Sequence, residues 1–272
     1  MLLRVMSFNV RCASLDAGGP HAWERRSSLN VSVIQNQAPD LIGLQECETA
    51  HLLTYQQYLP DYVRLPGQEI HPGERVPSAY NAIFWRSECL TMLASGSFWL
   101  SETPEVYSRA WNAASPRLAT WAKFRLANGR ELLHLNTHLD HVSAEARVRG
   151  TELIVQRLHA LQTASSMLIM TGDFNCNPDD PVHRLLQSPG LGDAYLATGH
   201  DDSEQSNTFH AYGWSKSSTS GARRRGPMRY DWILFADPAG ALRPISCEII
   251  RDAQPPLYPS DHYPVLAEFE VV

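Results

Sequence analysis

Short apolar runs recur along the chain and end again and again in the same few polar residues. Residues 2–10 read as a strand, and residues 23–37 as a helix with Arg26, Leu29, Asn30, Val33 and Ile34 spaced at three and four. Pro39 stops that helix, because proline disfavours α geometry at the residue before it. Residues 41–44 form a short buried-type strand, and residues 48–58 a helix burying Leu52, Leu53, Tyr55 and Gln56. Residues 79–85 and 120–126 look like strands. Asn128-Gly129 then predicts a two-residue hairpin turn joining 120–126 to 131–136 in antiparallel pairing. The longest helix covers 144–161, with Ser143 at its N-cap and Glu145 suiting the helix dipole. A strand at 167–170, a short helix at 181–187 and strands at 230–235, 245–250 and 264–270 complete the pattern. Two polar excursions, 95–118 and 199–227, read as loops, the second as a surface flap.

A hairpin inside an otherwise α/β pattern excludes a purely parallel doubly wound sheet. Many strands with few helices favour two packed sheets flanked by helices. No Pro-, Gly- or Ser-rich linker divides the chain, so residues 1–272 are expected to form one domain. An apolar fraction of 43% with mixed charge excludes disorder. The net charge of −6 argues against sequence-blind binding to nucleic acid, whose affinity comes mostly from neutralised phosphates. Five cysteines without C-x-x-C spacing argue against a disulfide framework or a structural zinc site. With no signal peptide ahead of the first strand and no long apolar span, a cytoplasmic location and no membrane partner are expected.

The polar endings are the candidate chemistry. VMSFN (5–9) closes on Asn9, and LIGLQE (41–46) on Glu46. LLHLNTHLD (132–140) carries Asn136 and His138, and MLIMTGDFN (167–175) carries Asp173 and Asn175. RYDWILF (229–235) holds Asp231 within the run, and SDHYPV (260–265) sets Asp261 beside His262. A core needs none of these groups. A site for a divalent metal and a phosphate needs them all: oxygen ligands for a hard cation, and donors such as His, Asn or Arg for the phosphoryl oxygens. Residues i and i+2 of an extended stretch share a side, which pairs Asn136 with His138 and Asp173 with Asn175. A carboxylate inside an apolar strand is costly unless paired, and His262 is the natural partner of Asp231.

Other residues carry an ordinary alternative. Arg117 could clamp a phosphate, since its guanidinium fork suits that geometry, or be a surface charge. His71, His141 and His210 could line a pocket. Trp23, Trp111 and Trp214 could stack on a base or sugar, or pack as core and rim. Arg223, Arg224 and Arg225 with Arg229 could form an anion patch on the flap, or a solvated loop.

As a set, SFNVR (7–11), LQE (44–46), PRLATW (116–121), LNTHLDH (135–141), TGDFN (171–175), YDWILF (230–235) and SDHYPV (260–265) resemble the endonuclease/exonuclease/phosphatase family of DNase I-like phosphohydrolases. The likeness runs in the family's order over essentially the whole chain. SETP (101–104), PRLATW and NTHLDH look closest to the bacterial branch resembling the eukaryotic poly(A)-shortening nucleases. The resemblance implies a four-layered α/β/β/α sandwich of two mostly antiparallel sheets, with the pocket where loops of both sheets meet. It further implies Mg²⁺ or Mn²⁺ held by Glu46, assisted by Asn9 and Asp261. Asp173 would orient or deprotonate the attacking water, and Asn175 and His262 would bind the scissile phosphate. Asp231 would hold the tautomer of His262. His138, positioned by Asn136, would stabilise the phosphoryl oxygens or donate a proton near the leaving group.

The expected function is therefore hydrolysis of a phosphoester by in-line attack of an activated water. The expected substrate is a phosphorylated small molecule or a nucleotide-containing compound. A nuclease, either an exonuclease acting on single-stranded RNA or DNA or a DNA repair endonuclease, is the nearest alternative. A non-catalytic binding protein and a phospholipid phosphodiesterase are more distant ones.

Overall fold

The computed structural model describes residues 1–67, 80–162, 167–187, 190–213 and 228–272. In chain order the elements are β1 (Leu2–Asn9), α1 (Trp23–Gln37), β2 (Leu41–Cys47), α2 (Thr49–Tyr58), β3 (Tyr62–Leu65), β4 (Tyr80–Arg86), β5 (Leu90–Trp99), β6 (Leu118–Leu126) and β7 (Glu131–His138). Then follow α3 (Ala144–Leu161), β8 (Met167–Asp173), α4 (Pro181–Gln187), β9 (Gly192–Asp193), α5 (Ala194–Ala197), β10 (Asp231–Ala236), β11 (Leu242–Ile249) and β12 (Val265–Val271). The strands make two six-stranded sheets, ordered β11-β12-β1-β2-β4-β3 and β5-β6-β7-β8-β10-β9. Each sheet has one parallel pair at its centre, β1 with β2 and β7 with β8. The sheets pack face to face with helices outside, a four-layered α/β/β/α sandwich. Among the described residues, no helix is long and apolar enough to cross a membrane.

Both faces of the central strands are buried, so their residues do not alternate between apolar and polar. The outward residues of β1, β2 and β4, such as Met6, Phe8, Ile42, Leu44 and Phe84, pack with Trp23, Val31, Ile34 and Tyr55 of α1 and α2. Leu133, Leu135, Leu168 and Met170 do the same against Ile154 and Leu158 of α3 and Val182 and Leu186 of α4. Helix α1 stops where Ala38 turns left-handed (φ +42°) and donates its N–H to the Ile34 carbonyl. The Ser143 hydroxyl caps α3 by accepting from the Ala146 N–H.

The faces that meet between the sheets change character along their length. On β1 they run Leu3, Val5, Ser7, Asn9; on β7, Leu132, His134, Asn136, His138; on β8, Met167, Ile169, Thr171, Asp173. One end of the sandwich is thus dry, and the other is polar while still buried. Buried polar groups are tolerable only when hydrogen-bonded, and here they bond across the sheets. The Asn136 amide donates to the carbonyls of Leu44 (2.8 Å) and Ala82 (2.9 Å) in the opposite sheet. Its oxygen accepts from Gln45 (2.7 Å) and from the Thr171 hydroxyl (3.2 Å). Gly43 makes the close approach possible, because a Cβ there would lie 2.0 Å from Thr171 Oγ1 and 2.8 Å from Asn136 Oδ1.

Several local expectations need correction. Residues 95–118 are not a loop throughout: residues 95–99 belong to β5, which pairs with β6 from Leu90 to Trp99. That strand was hidden because it is an edge strand exposed over Thr91–Ser95, where Met92 and Leu93 face solvent together with their small and polar neighbours and no alternation shows. The strands β3 and β9 and the single turn α5 were also unread, being too short to show a period. Helix α2 buries His51 and Tyr55, while Leu53 stays exposed. At the hairpin only Gly129 takes a positive φ (+83°). The turn is wider than two residues, closed by the Leu126 N–H on the Arg130 carbonyl and trimmed by the Asn128 side chain.

Gly43→Ala is expected to cost about 3 kcal/mol, since the methyl group must push the sheets or the Asn136–Thr171 pair apart. Urea unfolding would show a lower midpoint at unchanged slope. An unmoved midpoint would mean that the sheets separate freely at this point.

Candidate active site

The polar end of the sandwich brings together residues far apart in sequence. His138 on β7 is directly opposite Asp173 on β8, and Asp173 is directly opposite Asp231 on β10. One rung of the second sheet therefore carries an imidazole and two carboxylates side by side. The first sheet faces this rung with Asn9 at the end of β1 and Glu46 at the end of β2, joined by Asp261 and His262 just before β12.

Glu46 reaches the cleft through a break in the ladder. The register of β2 on β4 shifts between Leu44 and Cys47, and Glu46 sits there at φ +58°. Its carboxylate accepts from the Cys12 N–H (2.8 Å) and from the Asn9 amide (3.1 Å). The same Asn9 amide nitrogen donates to Asp173 at 2.9 Å, so one side chain links the acids of both sheets. Asn175, also left-handed (φ +51°), donates its backbone N–H to Asp173 Oδ1. The Asn175 amide lies 2.9 Å from His138 Nε2 and 3.0 Å from the Leu139 carbonyl.

His262 completes the cluster. Its Nδ1 is 2.8 Å from Asp231 Oδ2, and its Nε2 is 3.7 Å from Asp173 Oδ2. The Asp231 contact fixes the Nδ1-protonated form and aims Nε2 at Asp173. The Ser260 hydroxyl donates to the Asn9 carbonyl (2.6 Å) and accepts from the His262 N–H (3.3 Å), splicing the strand of one site residue to the entrance of another.

Burial and neighbouring charge set the protonation states. Burial opposes a charge on His262, but Asp231 and Asp173 overcome it and hold the imidazole above its ordinary range. Burial lifts the Asp173 carboxyl above the usual carboxylate range, with His262 opposing and Asp231 assisting the lift. His138 is kept neutral by burial and by the nearby Arg117. Burial also works against ionised Glu46, yet a protonated His138, the Cys12 N–H and Asn9 hold its pKa below the ordinary range. Because His138 is neutral at pH 7, the two N–H donors carry that effect there.

The structure draws in residues that sequence reasoning passed over. Arg11 (φ +57°) places its guanidinium 3.6 Å from Asp261 and 3.4 Å from Asp16. Tyr212 donates to Asp16 at 2.6 Å and stacks on His21 at 3.8 Å. The signal for Arg11 was its place two residues after Asn9. Ser260 and Thr208 gave no signal, since a buried hydroxyl reads as any loop serine or threonine.

Other candidates border the cluster or lie apart from it. Arg117 is bound to Asp140 (3.5 Å) and to His141 (3.0 Å), at the rim beyond β7. Trp111 lines a groove of about 750 Å³ beside α3, with Glu145, Arg149 and Gln156. His210 stacks on Tyr263 at 3.9 Å and forms part of the wall behind His262. Trp23 belongs to the core under α1. Asn136 does not reach His138 by a hydrogen bond of its own, because its amide is committed to the opposite sheet. Arg229 is no anion patch: it is buried between Asp193 (2.8 Å) and Asp202 (2.6 Å), with its charge already met. The flap expectation also fails at its root, where Ser206 and Thr208 are fully buried. His71, Trp214 and Arg223 to Arg225 lie outside the described residues.

The donor chemistry fits a hard divalent cation. Glu46 and Asp261 offer carboxylate oxygens on one side of the cleft, and the electrostatics keep Glu46 ionised. Asn9 turns its amide nitrogen to the acids while its oxygen accepts from the Arg11 N–H (2.9 Å). A second grouping, Asp173, Asp231 and His262, has ligand atoms within 4.8 Å of one another and could also hold a cation. His262 already supplies positive charge there.

Paired acids, a buried carboxylate–histidine pair and amide donors at the open end of a two-sheet sandwich define a phosphoester-cleaving enzyme. Residues 6–262 match the sequence profile of the Endonuclease/Exonuclease/phosphatase family, and the chain belongs to that family. An endonuclease/exonuclease/phosphatase from Bacteroides vulgatus superposes with a TM-score of 0.84 at 26% identity, over 100% of both chains. A mannosyl-6-phosphatase from Bacteroides thetaiotaomicron gives 0.83 at 27% identity, over 98% of this chain and 99% of that one. Nocturnin of Homo sapiens is 24% identical over 98% of this chain, which spans 65% of that longer protein.

Proposed function

We propose that this protein is a divalent-metal-dependent phosphohydrolase whose single domain cleaves a phosphoester in a small phosphorylated substrate. The observation that carries the reading is the Asp173 carboxylate. It is held by Asn9 and the Asn175 N–H, and flanked by a His262 that Asp231 keeps protonated. A carboxylate with raised proton affinity is a better general base at neutral pH than an ordinary aspartate. Asp173 orients the attacking water and takes its proton. His262, charged and aimed inward, stabilises the phosphoryl oxygens, and the Asn175 amide becomes a second donor to them by giving up its contact with His138 Nε2. His138, kept neutral by burial and Arg117, stands beside Asn175 as a polar group that adds no charge to the water-binding side. Mg²⁺ or Mn²⁺ bound by Glu46 and Asp261, with Asn9 positioning Glu46, would supply the remaining positive charge against the developing phosphorane.

The acidic net charge and the likeness to a sugar phosphatase favour a small phosphoester over a long nucleic acid. The endonucleases and exonucleases named in the family keep a nuclease as the second reading. The two are separated by offering mannose 6-phosphate, a nucleoside 5′-monophosphate and a short single-stranded RNA with Mg²⁺ or Mn²⁺. Release of inorganic phosphate with the RNA left whole supports the first. Strand cleavage that weakens steeply with salt supports the second.

Glu46→Ala is expected to abolish metal-dependent hydrolysis and Mn²⁺ binding by calorimetry while leaving the circular dichroism spectrum unchanged. Wild-type Mn²⁺ affinity in that variant would remove Glu46 from the metal site. Asp231→Asn should lower kcat by about 100-fold or more with KM little changed, because it frees the histidine rather than reshaping the pocket. An effect confined to KM would count against the pairing.

A further inference from the structure

Residues 207–213 leave the body of the protein between two segments that carry site residues, and they are tied to both. The Thr208 hydroxyl accepts from the N–H groups of Tyr230 (3.0 Å) and Asp231 (3.1 Å), and it donates to the Met228 carbonyl at 3.4 Å. The Thr208 N–H donates to that same carbonyl (3.0 Å), and the Thr208 carbonyl accepts from the Tyr263 N–H (2.8 Å). The N–H groups of His210 and Ala211 both donate to the Asp261 carbonyl, at 3.0 and 3.1 Å. Phe209 bridges to His262 and lays its ring 4.9 Å from the imidazole.

Strand β9 pairs with β10 only at Leu234 and Phe235. At Tyr230 and Asp231 one buried hydroxyl stands where a neighbouring strand would otherwise accept these N–H groups. The buried Asp231 N–H, deprived of that acceptor, is costly enough to move the backbone rather than remain unpaired. The backbone that would move carries Asp231. A 2.8 Å contact between a carboxylate and an imidazole does not survive a shift of half an ångström or so without weakening.

We propose that Thr208 is a positioning residue of the active site, its hydroxyl and backbone together setting the distance between Asp231 and His262. This rests on the reading of that pair given above. It makes residues 207–211 a splint laid across the two chain segments that supply the pair, rather than the root of a free loop.

The test compares Thr208→Val, which keeps the shape and loses the hydroxyl, with Thr208→Ser, which keeps the hydroxyl. The full chain is assayed with Mn²⁺ on p-nitrophenyl phosphate and bis(p-nitrophenyl) phosphate. The low-field proton resonance of His262 Nδ1–H is followed in the same variants. The expected result for Thr208→Val is a kcat lower by about 10- to 100-fold, a KM within about twofold and a shifted or lost resonance. Thr208→Ser should stay close to wild type in all three. Should the valine variant not fold, Thr208→Ala replaces it against the same serine reference. A folded hydroxyl-free variant with wild-type kcat and resonance overturns the proposal, and so does a serine variant as impaired as the valine or alanine one. His262→Ala is the control. If it stays fully active, the reading of the pair itself is wrong; if it is inactive beside an unaffected Thr208→Val, only the role of Thr208 falls.

Discussion

The Asn136 amide, hydrogen-bonded through both of its ends across the gap between the sheets, is the interaction on which the site depends. A sandwich of two sheets is ordinarily held by interdigitated apolar side chains, which fix spacing loosely and direction hardly at all. Here Asn136, Gln45 and Thr171 replace that packing with directional bonds at one end. The bonds set the separation of β2 from β7 and β8 at the level where Glu46 and His138 emerge. Gly43 is the steric counterpart, leaving room for polar atoms where any side chain would intrude.

Electrostatics then distribute the labour. The cleft holds four acids, Glu46, Asp173, Asp231 and Asp261, in partial or full burial, an arrangement that is costly unless each is answered. Asp231 is answered by His262, Glu46 by the Cys12 N–H and Asn9, and Asp261 by Arg11. Asp173 accepts from Asn9 and the Asn175 N–H, yet its burial, with Asp231 beside it, outweighs them and raises its proton affinity, which suits the role of base. The two sheets contribute unequal halves: the second brings the acid rung, and the first brings the histidine and the acids suited to a cation.

Much of this was legible in the residues. The strand-ending clusters at Asn9, Glu46, His138, Asp173 and Asp261-His262 pointed to one cleft, because buried strands gain nothing from such endings. Asp231 inside an apolar run called for a partner, and the partner is His262. Less legible were β5, whose exposed edge residues lack any period, and Asn136, whose i+2 relation to His138 suggested a shared task. The shared face is real, but the amide is spent on the opposite sheet. Arg229 looked like part of a basic surface because neighbouring arginines in sequence implied exposure, whereas Asp193 and Asp202 draw it inward from distant loops. Contacts of this kind are set by tertiary pairing and leave no local pattern. The 199–213 stretch was misjudged for the same reason, since its polar content is that of a loop while Ser206 and Thr208 within it are fully buried.

Glu46, Asn175 and Arg11 all hold left-handed backbone angles without being glycine, a conformation that costs such residues on the order of 1 kcal/mol or more each. Natural or laboratory selection for heat tolerance alone would find easy gains by placing glycine at these three points, and each gain would strip a functional group from the cleft. A carboxylate, an amide and a guanidinium at such unfavourable positions thus place part of the backbone strain of the fold at the cleft itself.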